Sequence, residues 1–262
     1  MKSFYLSFIC AMLFICYGIT ANARDLSIAC ENKQDFPTVM GNNTNVLKKN
    51  PGMGVEAIYL LEKRLNIKIK IKRLPWKRCL AEMEKGHVDG LFTASYKEKR
   101  KKFGRYPEID GKVDPSRRFT SASYALYRLK GSDVRYDGNN FHVKGKVGAP
   151  LGYSIVDDLK KKGLIIDESP NTLNDFKKMV KGRIKAVAAL EMTADYYLMV
   201  HQDLNEKIEK ILPLIVEKPY YFMLSHQLYK ENKALAEKIW DTIADIRRDP
   251  EFQKSLKNYF EQ

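Results

Sequence analysis

Histidine, tryptophan and cysteine are scarce in this chain: four, two and four among 262 residues. The histidines (His87, His142, His201, His226) are scattered without ligand spacing, so a zinc site is not expected. No Gly-x-Ser-x-Gly, His-Glu-x-x-His, P-loop or Gly-x-Gly-x-x-Gly pattern occurs. The common hydrolase, metalloprotease, nucleotide and dinucleotide signatures are therefore missing. After residue 23 no apolar run approaches a membrane span. Acids are also outnumbered, 32 against 46 Lys and Arg, for a formal net charge of +14. That balance suits anionic ligands or surfaces. Yet the lysines are spread along the chain, and groups such as 160–162 and 177–178 read as solvated helix faces, so nucleic acid is not an expected partner.

What is present begins with an export signal. Lys2 precedes a mostly apolar stretch at 4–17, and Ala21-Asn22-Ala23 is a small-residue cleavage site. Residues 1–23 are expected to be a cleaved signal peptide, with Arg24 starting the mature chain. Bulky Phe14 and Ile15 before Cys16 do not form a lipid-attachment box. A free exported chain that handles solutes needs an outer barrier to retain it, which points to a Gram-negative periplasm. Of the four cysteines, Cys30 and Cys79 remain after cleavage. In an oxidising compartment a disulfide between them is expected, two separate buried thiols being the other reading.

One phrase occurs twice. Met-Glu-Lys-Gly-His-Val at 83–88 and Met-Val-Lys-Gly-Arg-Ile at 179–184 each close a helical pattern at Lys-Gly and open a short apolar run. Each reads as helix, glycine cap and buried strand, which suggests two similar α/β lobes and a cleft between them. Alternating Ile and Lys at 67–72 predicts a strand near a sheet edge. Residues 120–129 read as a long strand, 211–216 and 220–224 as two strands, and 230–247 as one amphipathic helix. Strand–helix alternation implies a mainly parallel sheet in each lobe. The expected division is 24–124 for the first part of lobe one, 125–221 for lobe two and 222–262 returning to lobe one. Two crossing strands would make a hinge.

Several short motifs fall in a telling order. They are Gly54-Val55-Glu56, Gly86-His87-Val88-Asp89-Gly90, Glu98-Lys99-Arg100, Gly148-Ala149-Pro150-Leu151-Gly152-Tyr153-Ser154 and Gly182-Arg183-Ile184. Together they resemble the type II periplasmic solute-binding proteins, specifically the family 3 group with the polar amino-acid receptors of ABC importers. The resemblance covers nearly all of the mature chain. It implies a two-lobed α/β fold with a two-strand hinge, no cofactor, a monomer, and membrane partners that are ABC-importer subunits or a membrane sensor.

The resemblance also implies site residues. The family grips a ligand carboxylate with a Thr-x-Thr-x-x-Arg stretch. Here Thr93, Ser95 and Arg100 occupy a stretch two residues longer, and Arg100 is equally compatible with a surface position. Gly152, Tyr153 and Ser154 open a helix whose free N–H groups suit an anionic group, although Ser154 also suits ordinary capping. Trp76 and Tyr96 suit stacking on a ligand or core packing, and Phe36 sits on the loop after the first strand. The family's acid for the ligand ammonium is displaced: Lys185 replaces one Asp, Leu190 stands at the second position, and Glu191 follows. An exported dehydratase on the same fold is the enzyme alternative. Glu31, Glu56 and Glu191 are its available carboxylates, with no pairing to support it. The expected role is binding, with no metal, no cofactor and no bond-making.

Overall fold

The computed structural model describes residues 25–260, and the expected signal peptide lies outside them. The first lobe starts with the apolar strand β1 (Leu26–Glu31), then α1 (Met53–Leu65), β2 (Ile69–Leu74), α2 (Trp76–Glu84) and β3 (Gly90–Ser95). A 3₁₀ turn at Glu98–Lys102 leads to the hairpin β4 (Glu108–Ile109) and β5 (Lys112–Val113), and β6 (Thr120–Leu129) leaves for the second lobe. There β7 (Arg135–Tyr136) and β8 (Phe141–His142) form a small hairpin. The alternating elements β9 (Lys146–Pro150), α3 (Ser154–Lys161), β10 (Ile165–Ser169), α4 (Thr172–Val180), β11 (Ala186–Leu190), α5 (Glu191–Val200) and α6 (Gln202–Asn205) follow. The chain returns through β12 (Ile208–Leu224) to α7 (His226–Glu231), α8 (Lys233–Arg248) and α9 (Pro250–Lys257).

The repeated phrase folds twice into the same device. Gly86 and Gly182 both have φ of 71°. Gly86 N–H donates to Met83 and His87 N–H to Glu82; Gly182 N–H donates to Met179 and Arg183 N–H to Lys178. These are paired Schellman closures, and a left-handed residue is needed in each. After each closure the chain drops into a fully or largely buried strand, β3 or β11.

The sheet order is β10-β9-β11-β6-β12-β3-β1-β2. Pairing is parallel at both ends and antiparallel where β6 and β12 meet each other and their neighbours. The two lobe sheets are thus joined into one ribbon by the two crossing strands. β2 is an edge strand, with alternate residues exposed, as its Ile/Lys pattern predicts. The expected strands at 211–216 and 220–224 are one strand, irregular between Ile211 and Val216, where Pro213 offers no N–H to the ladder. The expected single helix at 230–247 is two. Asn232 interrupts it and its side chain accepts the N–H of Leu235, capping α8.

Each lobe packs helices on both sheet faces. In lobe one, α1 and α8 cover Leu26, Ile28 and Cys30, while α2 covers Ala29 and Leu91. Trp240 on α8 is 1% exposed and donates its indole N–H to the Phe222 carbonyl at 2.8 Å. In lobe two, α3 packs on one face and α4 and α5 on the other.

This layering corrects the expected Cys30–Cys79 bridge: both are buried free thiols. Successive residues of a strand point to opposite faces. Cys30 therefore belongs to the α1–α8 side with Ile28, whereas Cys79 on α2 packs on the other side with Ala29. Cys79 Sγ donates to the carbonyl oxygens of Cys30 and Leu74, each at 3.4 Å. Burial pushes the Cys30 thiol up to about 12, which keeps it protonated and unreactive.

Two outcomes follow for a chain spanning residues 24–262. Reductant should leave its melting temperature unchanged, and thiol titration of the unfolded chain without reductant should count both cysteines; a count of zero would restore the bridge. The second concerns Asp175, buried on the first turn of α4 beside Gly148. Burial lifts its pKa to about 7. The folded state thus holds a proton that the unfolded state releases near pH 4, so its stabilisation is complete below that pH and fades as pH rises through about 7. Asp175→Asn should flatten this slope and stabilise the protein at pH 8 by on the order of 1–3 kcal/mol, read by denaturant unfolding at pH 5 and pH 8.

Candidate functional site

The ends of the parallel strands converge on the gap between the lobes, where open α/β sheets place their ligands. Glu31 ends β1, Thr93 and Ser95 end β3, Tyr153 and Ser154 follow β9, and Leu190 ends β11. With Asp35, Trp76, Arg100, Tyr124 and Tyr220 they line one cavity of about 440 Å³. Its floor is the hinge: Tyr124 on β6 and Tyr220 on β12 share a hydrogen bond at 2.8 Å between hydroxyls. Burial raises the Tyr124 hydroxyl to about 12, so it stays neutral.

Arg100 is buried at one side of the cavity. Its Nη1 donates to the Ser95 carbonyl at 3.0 Å and to Ser95 Oγ at 2.8 Å, and its Nη2 reaches the Gly152 carbonyl across the cleft at 3.1 Å. The guanidinium lies 5.2 Å from the centre of the Trp76 ring, a cation–π arrangement. The Trp76 indole N–H is buried without a protein partner. Arg100 and this N–H are donors available to an anionic group.

At the other side stand two carboxylates. Tyr153 donates from its hydroxyl to Glu31 Oε2 at 2.5 Å, and Thr193 donates to Asp35 Oδ1 at 2.7 Å. Both bonds cross the cleft. The loop that carries Asp35 is held by buried Arg73, which donates to the carbonyls of Met40 (3.0 Å), Gly41 (2.7 Å) and Asn45 (3.2 Å).

A third group closes the far edge. Lys218 on β12 is 9% exposed, donates to Ser154 Oγ at 3.1 Å and pairs with Asp158 on α3. Lys97 of lobe one also pairs with Asp158, and Lys99 with Asp157. Burial alone would raise Asp158, but Lys218 and Lys97 outweigh it and hold the carboxylate below its ordinary value.

Of the residues singled out from sequence, Trp76, Thr93, Ser95, Arg100, Tyr153 and Ser154 come together around the cavity. Gly152 stands beside it, presenting its carbonyl to Arg100 and its N–H to Glu168 at 2.9 Å. A Cβ there would sit 3.4 Å from Trp76, and its φ of 75° suits glycine. Tyr96 is not brought in. Ser95 faces the cavity, so the next residue on the chain faces away, and Tyr96 packs edge-on against Tyr106 at 5.2 Å. Phe36 stacks on Tyr196 of α5 at 4.6 Å, and Glu191 takes Lys210 at 2.7 Å. Both border an adjoining hollow, not the cavity itself. Asp35, Tyr124, Lys218 and Tyr220 were not foreseen. A carboxylate two residues before a Pro-Thr loop, a tyrosine in a strand and a lysine before Pro219 carry no local pattern. Among the described residues no cluster of His, Cys, Asp and Glu could hold a metal, and no helix is long and apolar enough to cross a membrane.

A sequence model of the bacterial extracellular solute-binding proteins, family 3, matches residues 28–262. The chain belongs to that family. No curated protein sequence matches it significantly. Solved structures of this family's fold superimpose well. An ancestral arginine-binding protein bound to arginine has a TM-score of 0.71 at 21% identity, covering 91% of this chain and 99% of the other. The arginine-, lysine-, histidine-binding protein ArtJ from Geobacillus stearothermophilus gives 0.70 at 15%, covering 91% and 96%. A histidine kinase sensor domain similar to periplasmic binding proteins gives 0.70 at 13%, covering 90% and 95%. At these identities the likeness establishes the two-lobed fold.

Within this family member the Lys218–Asp158 pair joins a buried lysine to a half-buried carboxylate at the cleft. Removing one partner of a buried pair leaves an uncompensated charge. Asp158→Ala should cost on the order of 1–3 kcal/mol, and Lys218→Met in the same chain should recover most of it. Equal stability of Asp158→Ala and the parent in urea titration would show that Lys218 does not depend on the pair.

Proposed function

We propose that this family member is an exported periplasmic binder, a monomer, that captures one small polar solute of amino-acid or organic-acid type between its lobes. It then presents the closed form to the membrane subunits of an ABC importer. The observation that carries this reading is Arg100: a buried guanidinium at the cavity wall, backed by Trp76 and bonded to both lobes. A planar fork of donors in a partly dry site is suited to a carboxylate. Ligand contacts from lobe one (Thr93, Ser95, Arg100) and from lobe two (Tyr153, Ser154) would favour closure. Only such differential contact can shift an open–closed equilibrium.

A sensing role is the second reading, favoured by the match to a histidine kinase sensor domain. The same cleft would then report to a membrane receptor. The chemistry of capture is identical in both, and the outer surface decides between them. Function as an enzyme receives no support from the cavity, whose carboxylates are engaged by Tyr153 and Thr193.

A thermal-shift screen of residues 24–262, unfolded and refolded to strip carried-over solute, tests the binding reading. The panel holds amino acids, organic acids, polyamines and sugars. A ligand at about 100 times its Kd should stabilise by roughly 2.7 kcal/mol. Arg100→Ala should weaken that ligand by on the order of 10- to 100-fold. A hit that survives Arg100→Ala removes the anchor role, and silence across the panel overturns solute capture.

A further inference from the structure

The hollow beside the cavity has walls of a different kind. It encloses about 590 Å³ and lies against the hinge. Asp35, Thr38, Thr93, Leu190 and Tyr220 line both the hollow and the Arg100 cavity, so the two spaces share one wall. Lobe one adds Phe36, Met53, Leu256 and Phe260, and lobe two adds Glu191 and Met192. The hinge adds residues 120–123 of β6. Ser121, Ala122 and Ser123 are short, and the hollow opens in the room that the bulkier residues usual in strands would fill. Its carboxylates are engaged, Glu191 by Lys210 at 2.7 Å and Asp35 by Thr193. What remains is apolar side chains and small hydroxyls. Phe36 stacks on Tyr196 of α5 and meets Phe260 edge-on at 5.5 Å. Phe260 follows α9 and is held in place by Tyr259, whose hydroxyl donates to Glu56 at 2.5 Å and accepts the Gly52 N–H at 2.9 Å. Even so, Phe260 is 54% exposed, and Met192 on the other lobe is 42% exposed. Two large apolar side chains, one from each lobe, stand half covered at the rim of one hollow, a surface that folding by itself does not bury.

Resting on the binding function above, we propose that this hollow is a second ligand subsite, which takes the apolar tail of a solute whose carboxylate is held by Arg100. The ligand class is an amino or 2-hydroxy acid with a long aliphatic or aromatic side chain, polar only at the end that Arg100 holds. Leu190 gives the shared wall an apolar face on the way from one space to the other. Met53 and Met192 are flexible enough to fit tails of different shape. The tail points to the hinge and not to the outer groove, because the groove on the other side of Arg100 carries Lys77, Lys99, Lys102 and Lys160. That charged surface gives an apolar group no gain, whereas each methylene buried in the hollow does. Both lobes supply the walls, so a tail seated there also favours the closed form.

Calorimetric titration of residues 24–262 with alanine, norvaline, norleucine, 2-aminooctanoate and phenylalanine, and with the 2-hydroxy acids of the same side chains, tests the subsite. Within the series that binds, affinity should rise about three- to fourfold per added methylene. Phe260→Ala and Met192→Ala should each weaken the longest member at least about threefold more than the shortest member that binds. Both side chains are half exposed, so the variants should fold, and an unchanged melting temperature without ligand checks this. A purely structural role for either residue would weaken all members alike and overturns its place in the subsite. Affinity that stays flat or falls with tail length overturns the proposal, as does a gain that persists in full in both variants. If only short or charged solutes bind, and that binding is lost in Arg100→Ala, the subsite falls while solute capture stands. If no solute binds, both fall.

Discussion

The antiparallel pairing of β6 with β12 is the constraint on which the rest depends. Both strands run through the two lobes, so the ladder between them is at once the centre of the sheet and the only strand connection across the cleft among the described residues. Their crossing puts Tyr124 and Tyr220 at the cavity floor and Lys218 at its edge. Register matters here. A one-residue slip of either strand would turn these side chains to the opposite face. The irregularity between Ile211 and Val216 lies in the lobe-two half of β12, away from the stretch that pairs Lys218 with Ala122 and Tyr220 with Thr120.

On that frame the cleft is built from groups that need one another. Arg100 relies on a carbonyl from lobe two, Glu31 on a hydroxyl from lobe two, and Asp158 on lysines from lobe one and the hinge. Closing the lobes removes water from these groups, which strengthens each interaction and raises the cost of leaving any unpaired. Arg73 has a quieter role. It places the Asp35 loop by binding its carbonyls, so the acidic side of the cavity depends on a residue that does not line it.

The parts of the fold that were legible in sequence are those governed by local rules. The Lys-Gly closures at Gly86 and Gly182, the Ile/Lys alternation of β2 and the helix opening at Ser154 needed only periodicity and backbone preference. The pieces misjudged were set by longer contacts. Residues 211–224 form one strand because β6 pairs on both sides of the irregularity after Ile211 and β3 takes over from Tyr220, and the helix at 230–247 breaks because Asn232 caps α8. The expected disulfide rested on compartment and cysteine count. It failed on strand parity, because neighbouring residues of β1 face different layers.

The sequence by itself determined the element types, the two-lobed α/β class and the basic composition, because each follows from near neighbours on the chain, while Arg100 as a candidate anchor came from the resemblance to solute-binding proteins. Tertiary structure alone decided which side chains share the cavity. Asp35 meets Thr193, and Lys218 meets Asp158, across separations that no local pattern spans. The pKa of Asp35 was likewise decided there, since it comes from loss of water and the nearness of Glu31, neither of which exists until the lobes pack together.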